Sequence, residues 1–209
     1  MAAIWDSRYG GAVDAPFYYG TEPNSFLQKE EARLPRKARI LCLAEGEGRN
    51  AVYLATKGHT VSSIDLSPIG VQKTLALAAK YGVTVDAKVG DLAAFVLEPN
   101  SWDGIVSIWA HVPHPLRKTV HASVVSALVP GGVFIFEAYH PRQLDLVKAG
   151  TSKGGPGTED LLATLPQVSV ELEGLTLALA EEVDRDVQEG EGHRGVSACT
   201  HLVAVKPPQ

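Results

Sequence analysis

Glycines and acids follow three neighbouring strands of the predicted sheet, at the point where each strand ends. The first strand leads into the turn AEGEG at residues 44–48, the second ends at Asp65, and Asp91 follows the third. Glycines let the backbone turn tightly and approach a ligand closely. Asp65 is placed to accept hydrogen bonds from the two hydroxyls of a ribose, and Asp91 from an adenine amino group. Together the three strand ends predict an adenosine site.

Each of these three features also has an ordinary structural interpretation. A glycine turn can simply join a strand to a helix, and either acid can cap the helix that follows it. Ser67 already fills the N-cap position after Asp65, which favours a ligand there, whereas both interpretations of Asp91 stay open. The glycine turn alone does not show whether the ligand is NAD or S-adenosylmethionine (SAM). Residues 46–51 also fit the dinucleotide-binding fingerprint, which permits alanine at its last position, here Ala51.

Alternating strand and helix patterns position these residues. Short apolar runs between turn residues predict buried strands, at residues 39–44, 61–65, 84–89, 102–109 and 133–139. Apolar periodicity and capping residues predict helices, at residues 49–57, 68–81 and 115–128. This alternation is typical of a parallel sheet with helices on both faces.

The last third of the chain follows a different pattern. Residues 148–160 contain almost no apolar side chain and predict a mobile loop. Residues 166–173 fit both a helix and a strand, and the flanking proline and glycine favour the helix. Residues 175–187 and 195–206 predict two long strands that pair as a hairpin through the linker between them.

These elements predict an α/β fold, a Rossmann-like three-layer αβα sandwich. Its mostly parallel sheet would have seven strands and end in a C-terminal antiparallel hairpin. Neither repeats nor a linker divide the sequence, so we expect a single domain over residues 1–209. Residues 1–37, irregular apart from a short helix at 24–34, are rich in aromatic side chains. These aromatic residues either pin a loop onto the core or form a lid. We favour a lid that covers the ligand-binding core, which we expect at residues 38–209.

Composition argues against several classes of partner. The 19 basic and 24 acidic side chains give a net charge of −5 and form no basic block, so we expect no nucleic-acid partner. No stretch approaches the roughly 20 apolar residues of a membrane span, and the N-terminus lacks the features of a signal peptide. Cys42 and Cys199 form neither a disulfide framework nor a metal-ligand spacing. We therefore expect a cytoplasmic monomer or homodimer without a metal.

The order of these motifs resembles that of the class I SAM-dependent methyltransferases. Beside the three strand-end motifs, the sequence carries WDGIVS at residues 102–107 and PGG at residues 130–132, in the order that this family shows. The antiparallel C-terminal pair is similar to the way the family closes its sheet. The resemblance covers residues 39–206 and implies a SAM-dependent methyltransferase. Within the family, GEGRNAVYLA at residues 46–55 resembles the small tellurite-resistance and thiopurine-type enzymes.

By this resemblance the cofactor is SAM, and the residues implied to line it are Gly46, Gly48, Asp65, Leu66, Asp91 and Leu92. Glu45, Asn50 and Trp109 are further candidates for the lining of the cofactor. The first turn departs from the family pattern, since Cys42 replaces the usual aspartate and Ala44 the first glycine. In the family that aspartate helps to hold the amino group of the SAM methionine, and Glu45 is a candidate for the same role. An exposed acid on the turn is the alternative.

The methyl acceptor is expected against the loops after the fourth and fifth strands and against the N-terminal segment. His111 is the first candidate for a base or an acceptor-orienting group, because a histidine ring titrates near neutral pH. An ordinary loop histidine is the alternative. His140 and Tyr19 are further catalytic candidates, and a zinc site at the histidines is disfavoured because no further ligand pattern supports it. His193 in the hairpin turn and Arg117 on a helix are expected to be solvated.

Three functions stay open at this point. The favoured one is methyl transfer from SAM to a small-molecule acceptor, such as a thiol or a chalcogen oxyanion, by in-line displacement. An NAD-dependent oxidoreductase is disfavoured by the C-terminal hairpin and by the lack of a substrate domain. A non-catalytic SAM-binding regulator remains open because the first turn is altered.

Overall fold

One eight-stranded sheet organises the chain in the computed structural model, which describes residues 2–208. Strands β1 to β5 are Arg39–Leu43, Thr60–Asp65, Val85–Val89, Trp102–Ile108 and Leu128–Tyr139. Strands β6 to β8 are Ser152–Lys153, Thr176–Glu189 and His193–Val205. The spatial order is β3-β2-β1-β4-β5-β8, and β6 and β7 also pair with β8. Strands β1 to β5 pair in parallel, whereas β8 is antiparallel to its three neighbours.

In chain order, helices α1 to α7 are Ala2–Arg8, Ser25–Glu30, Arg49–Thr56, Pro68–Lys80, His114–Ala127, Gln143–Lys148 and Leu165–Glu171. Helices α2, α4 and α7 begin after residues whose side chains accept a hydrogen bond from the first free backbone N–H groups. At the start of α4, Ser67 Oγ accepts a hydrogen bond from Gly70 N at 3.0 Å. At the start of α7, Thr164 and Gln167 form a capping box, which explains why this segment is helical.

Two hydrophobic cores lie on opposite faces of the sheet. Successive side chains of a strand point to opposite faces. In β1, Ile40 and Cys42 therefore pack in the core that contains α2, α3 and α4, whereas Leu41 and Leu43 pack in the core that contains α5 and α7. These four side chains are buried. This arrangement confirms the predicted three-layer αβα sandwich.

The structure differs from the sequence prediction mainly in short elements. The sheet has eight strands instead of seven, because Ser152–Lys153 lies in the predicted loop and pairs with β8. Helices α1 and α6, of 7 and 6 residues, were not predicted, since so short a segment carries little periodic pattern. The hairpin strands are longer than predicted and leave only residues 190–192 for the turn. Within residues 2–208, no helix combines the length and apolar character needed to cross a membrane.

A buried ion pair joins α5 to α7. Arg117 Nη2 lies 3.0 Å from Glu171 Oε1, and both side chains are buried. The same carboxylate lies 2.7 Å from His121 Nδ1, and Arg117 Nη1 donates to the carbonyl of Leu162 at 2.7 Å. Burial would raise the pKa of Glu171, but its bonds to His121 and Arg117 lower it to about 2. The prediction of a solvated Arg117 is therefore wrong, because α7 packs over this face of α5.

Candidate cofactor and acceptor site

A crevice lies at the carboxyl ends of strands β1 to β4, where open α/β sheets bind ligands. The predicted cofactor residues that line it are Glu45, Gly46, Asn50, Asp65, Leu66, Asp91, Leu92 and Trp109. Two predicted catalytic residues, Tyr19 and His111, line the same crevice. The structure thus brings most of the predicted residues around one space, and the exceptions are Gly48 and His140.

Asp65 holds the first turn against the end of β2. Its Oδ2 accepts a hydrogen bond from Gly46 N at 2.8 Å, and its Oδ1 accepts one from Ser67 N at 2.8 Å. Burial raises the pKa of Asp65, although these backbone bonds oppose the shift. Each carboxylate oxygen has a further lone pair. The side chain can therefore still accept a hydrogen bond from a ligand hydroxyl in the crevice.

Glu45 caps the helix that follows the first turn. Its Oε1 accepts hydrogen bonds from Asn50 N at 2.9 Å and from Ala51 N at 2.8 Å. Burial raises the pKa of Glu45 to about 7, against the opposing effect of these bonds. The alternative of a merely exposed acid is wrong, because the carboxylate satisfies two N–H groups at the start of α3. Its role toward the methionine part of a cofactor stays a prediction.

The backbone of the first turn is left-handed at three positions. Ala44 has φ 49°, so the residue that replaces the usual glycine adopts a conformation that glycine favours. Gly46 has φ 66°, and a Cβ there would lie 2.7 Å from Tyr9 Oη. Gly48 has φ 91°, and a Cβ there would lie 2.6 Å from Thr74 Oγ1. Gly48 therefore allows α3 to approach α4, and its predicted place in the lining of the crevice is corrected.

The N-terminal segment packs over the first turn. Trp5 and Tyr9 line the crevice from α1 and the residue that follows it. The fully buried Lys73 Nζ donates to Glu47 Oε1 at 2.7 Å and to the carbonyl of Tyr9 at 2.8 Å. Glu47 in turn accepts from the backbone N–H of Tyr19 at 3.1 Å. A buried ion pair thus links this segment to both the first turn and α4.

Glu189, at the end of β7, gathers four donors beneath the crevice. Its Oε2 accepts from Arg49 Nη2 at 2.6 Å and from Trp109 Nε1 at 2.8 Å. Its Oε1 accepts from Asn24 Nδ2 at 2.8 Å and from Arg185 Nη2 at 3.1 Å. Burial would raise the pKa of Glu189, but the Arg49 charge and these bonds hold it well below its usual range. Arg49 Nη1 is buried and finds no partner among the described residues, which leaves one charged donor for a ligand.

His111 lies beside two aromatic rings at one end of the crevice. Its ring centroid is 5.6 Å from that of Tyr139 and 6.3 Å from that of Trp109. Within residues 2–208, neither ring nitrogen of His111 has a hydrogen-bond partner. Burial, together with nearby positive charge, lowers the pKa of this ring to about 3. The prediction of a ring that titrates near neutral pH is therefore corrected. The ring is neutral near pH 7, so one nitrogen can accept a hydrogen bond and the other can donate one.

Two histidines lie where the sequence did not place them. His140 follows the last residue of β5, so its side chain leaves the sheet on the face opposite to Tyr139. It lies outside the crevice, and its Nε2 is 3.4 Å from Glu182 Oε2. His193, expected in solvent, is buried and lines the crevice with its ring 4.5 Å from that of Tyr19. Both predictions are corrected.

Several crevice residues were missed by sequence reasoning. Arg49 directly follows the first turn, and its place in the matched GRN motif could have marked it as a candidate. Glu189 offered no such signal, because it lies 140 residues from Arg49. His193 stands in a polar turn segment whose pattern is that of a solvated hairpin loop. Only the folded hairpin brings His193 into the lining of the crevice and Glu189 beneath it, against Arg49 and Trp109.

Comparison with known proteins relates part of this chain to methyltransferases. Residues 40–132 match the methyltransferase domain family. A curated relative, 2-heptyl-1-hydroxyquinolin-4(1H)-one methyltransferase from Mycobacteroides abscessus, is 32% identical over 93 residues. The matched region covers 43% of this chain and 41% of that relative, so the chain spans less than half of the relative's length.

Solved methyltransferases share the fold. TehB from Haemophilus influenzae superposes with a TM-score of 0.68 at 15% identity, over 87% of this chain and 61% of that one. Magnesium protoporphyrin IX methyltransferase from Synechocystis PCC 6803, solved with SAH bound, has a TM-score of 0.63 at 17% identity, over 87% and 79%. Such low identity shows the fold alone. Residues 40–132 therefore match a methyltransferase family model, within a fold that these solved methyltransferases share.

Proposed function

We propose that the protein transfers the methyl group of SAM to a small-molecule nucleophile. The observation that carries this proposal is the crevice in which the first turn, Asp65 and Asp91 meet within a methyltransferase domain. Bound SAM supplies a methyl group on a sulfonium that is already activated for in-line displacement. The protein then has to bind, orient the two reactants and exclude water, and orientation alone can contribute several kcal/mol.

The charges of the crevice fit the parts of SAM. We assign Asp65 to the ribose hydroxyls and Asp91 to the adenine amino group. The free Nη1 of Arg49 suits the carboxylate of the methionine part, and Glu45 suits its ammonium group. Trp109 lines the crevice and offers an aromatic ring, which favours a neighbouring sulfonium.

We assign His111 to the acceptor side, where Tyr19 also lines the crevice. A neutral ring nitrogen without a partner supports a role in orienting the acceptor by a hydrogen bond, whereas the low pKa of the ring makes it a poor proton acceptor. A base is needed only when the acceptor arrives protonated, whereas a thiolate or an oxyanion arrives ready. The tellurite-type resemblance implies a thiol or a chalcogen oxyanion as the acceptor. The name of the curated relative suggests a third candidate acceptor, a hydroxylated heteroaromatic ring.

We further propose that residues 1–37 act as a lid within a single domain. Trp5, Tyr9 and Tyr19 line the crevice, and the Lys73–Glu47 pair ties this segment to the first turn. A cover of this kind keeps water from the reacting centre. The acidic net charge supports a small-molecule acceptor over a nucleic acid.

Calorimetric titration with SAM and with NAD tests the cofactor assignment. We expect SAM to bind and NAD not to bind. Asp65→Ala should weaken SAM binding by at least about tenfold, because charge-assisted hydrogen bonds to the ribose are lost. Asp65→Asn is a second variant that keeps an acceptor for Gly46 N, and Asp86→Ala, an exposed acid on β3, is the matched control.

The outcomes separate the three functions left open by the sequence. Binding of NAD in place of SAM would support an oxidoreductase and contradict the proposal. Binding of SAM, without turnover of labelled SAM against thiols, tellurite and hydroxyquinolines, would support a regulator. Unchanged SAM affinity in Asp65→Ala would contradict the assigned crevice.

A further inference from the structure

A second chamber adjoins the crevice beside residues 153–158. Fourteen residues line it. Four of them, Trp5, Tyr19, His111 and His193, also line the crevice. The two spaces therefore meet at these side chains, and a molecule in the chamber would lie next to a ligand in the crevice.

The charge of this chamber is opposite to that of the chain. Apart from two histidines, its titratable cations are Arg8 and Lys153, and no carboxylate is among its lining residues. The whole chain has a net charge of −5, and the crevice is lined by four acidic side chains. Among the described residues, the carboxylate nearest to Lys153 is that of Glu191, whose Oε2 lies 3.8 Å from Lys153 Nζ. The Oε1 of this carboxylate is already paired with Arg194 Nη2 at 2.5 Å. The chamber thus favours an anion.

The walls of the chamber favour a flat ligand. The rings of Trp5, Tyr18 and Tyr19 form part of the lining, with Tyr18 and Tyr19 edge to face at 5.0 Å. The glycine-rich residues 154–157 and Gly192 supply further lining with little side chain. A Cβ at Gly192 would lie 2.3 Å from the Tyr19 ring, so this close approach requires glycine. Aromatic rings pack well against such surfaces by stacking or by edge contacts.

Unpartnered polar atoms lie where the chamber meets the crevice. Both ring nitrogens of His111, the Nδ1 of His193 and the hydroxyl of Tyr139 are buried without a hydrogen-bond partner in the described part of the chain. The Tyr139 ring lies 5.6 Å from that of His111 and 5.5 Å from that of His193. Buried polar groups in native proteins nearly always have a partner. A polar ligand atom at this junction would supply one.

We propose that the chamber binds the methyl acceptor and that this acceptor is a planar aromatic acid. Its anionic group pairs with Arg8 and Lys153, and its nucleophilic oxygen or sulfur lies at the junction beside His111. The inference rests on the proposed methyl transfer. In that step the nucleophile reacts as its oxyanion or thiolate, and a ring N–H of neutral His111 orients it by a hydrogen bond. The bond from the methyl carbon to the acceptor forms, while the bond to the sulfonium breaks and leaves its electron pair on sulfur. Arg8 and Lys153 then make the site specific for anionic over neutral acceptors.

The probe for this chamber is 2-naphthoate, a planar ring with one carboxylate. Titration calorimetry on the full chain, without SAM, compares it with neutral 2-naphthamide and with non-planar cyclohexanecarboxylate. We expect both analogues to bind at least about tenfold more weakly. The double variant Arg8→Gln/Lys153→Gln should lose about tenfold in affinity for 2-naphthoate, as removal of two exposed ion pairs implies. Lys29→Gln, an exposed cation on α2, is the control and should bind like the wild type.

Three results would overturn this assignment. The first is that 2-naphthamide or cyclohexanecarboxylate binds as tightly as 2-naphthoate, and the second is that the double variant binds 2-naphthoate as tightly as the wild type. Displacement of the probe by saturating SAM would also overturn it, because the probe would then occupy the crevice. A circular dichroism spectrum and a urea midpoint like those of the wild type show that the double variant is folded. A chain that binds 2-naphthoate in the expected pattern but never binds SAM would refute the methyl transfer and support the anionic, planar ligand.

Discussion

Replacement of Glu189 by glutamine should lower the stability of the folded protein. The carboxylate accepts from Arg49 and Trp109 on one oxygen and from Asn24 and Arg185 on the other. A glutamine keeps one acceptor oxygen and turns an NH2 group toward two donors. The variant Glu189→Gln therefore removes a buried charge and two hydrogen bonds in a single isosteric change.

The size of the stability loss depends on which of the four donors still has another acceptor in the variant. Glu137 already accepts from Asn24 Nδ2 at 2.6 Å and from Arg185 Nη2 at 3.0 Å. The glutamine NH2 is thus best tolerated on that side, while its oxygen stays with Arg49 and Trp109. Breaking a buried ion pair from one side costs about 3–5 kcal/mol. Because two of the donors keep Glu137, we expect a loss of about 3 kcal/mol, which a domain of ordinary stability survives folded.

Urea unfolding followed by circular dichroism measures this loss. Because the folded-state pKa of Glu189 lies below its ordinary value, the carboxylate stabilises the protein fully above about pH 4.5. That contribution declines as the pH falls toward the folded-state pKa, so the difference between wild type and variant should narrow from pH 5 to pH 3. Glu191→Gln, an exposed acid in the same hairpin, should change stability by less than about 0.5 kcal/mol. A loss below about 1 kcal/mol, or a difference that does not depend on pH, would refute this reasoning.

Three further changes test separate parts of the structure. SAM affinity should rise with pH through about 7, as the carboxylate of Glu45 ionises, and Glu45→Gln should abolish this rise in titrations from pH 6 to 8. The raised pKa also means that Glu45 ionisation lowers folding stability between about pH 4.5 and 7 in the absence of ligand. His111→Phe should slow methyl transfer by about tenfold, measured with labelled SAM, because the hydrogen bond that orients the acceptor is lost, while SAM affinity stays within about twofold. Arg117→Met should cost about 3–5 kcal/mol in urea unfolding, because Glu171 stays buried beside α5, and equal stability would contradict a structural ion pair.

Local signals in the sequence predicted the regular part of the fold. Ser67 before Pro68, and the glycine at position 58 with φ 89°, mark helix ends that depend only on neighbouring residues. Alternation of strands and helices then predicts the parallel sheet. Strand β6 was missed because two residues carry no periodicity, and its pairing with β8 is a contact between distant parts of the chain. Such pairings are decided by tertiary structure.

The cofactor side of the crevice was predictable, and the rest was predictable only in part. Asp65, Asp91 and the first turn follow strands directly, so the topology alone brings them to one edge of the sheet. His140 was misplaced because a single step along a strand reverses the face of its side chain. Glu45 was identified as a crevice residue, but its two bonds to the start of α3 depend on the shape of a turn that the sequence motif does not specify.

The tip of the hairpin reaches the crevice because its strands extend beyond β5. Strand β5 pairs with β8 up to Tyr139 and Cys199, whereas β8 begins six residues earlier, at His193. Since β8 is antiparallel to β5, this extension projects past the carboxyl edge of the sheet, where the ligand crevice lies. Strand β6 pairs with it at Gly195, where φ is 91° and a Cβ would lie 2.5 Å from the Thr151 carbonyl oxygen, so that a side chain is excluded. The two-residue strand therefore braces the segment that carries Glu189 and His193. These two residues, which were the hardest to predict, are thus held in place by an element that is itself too short to be predicted.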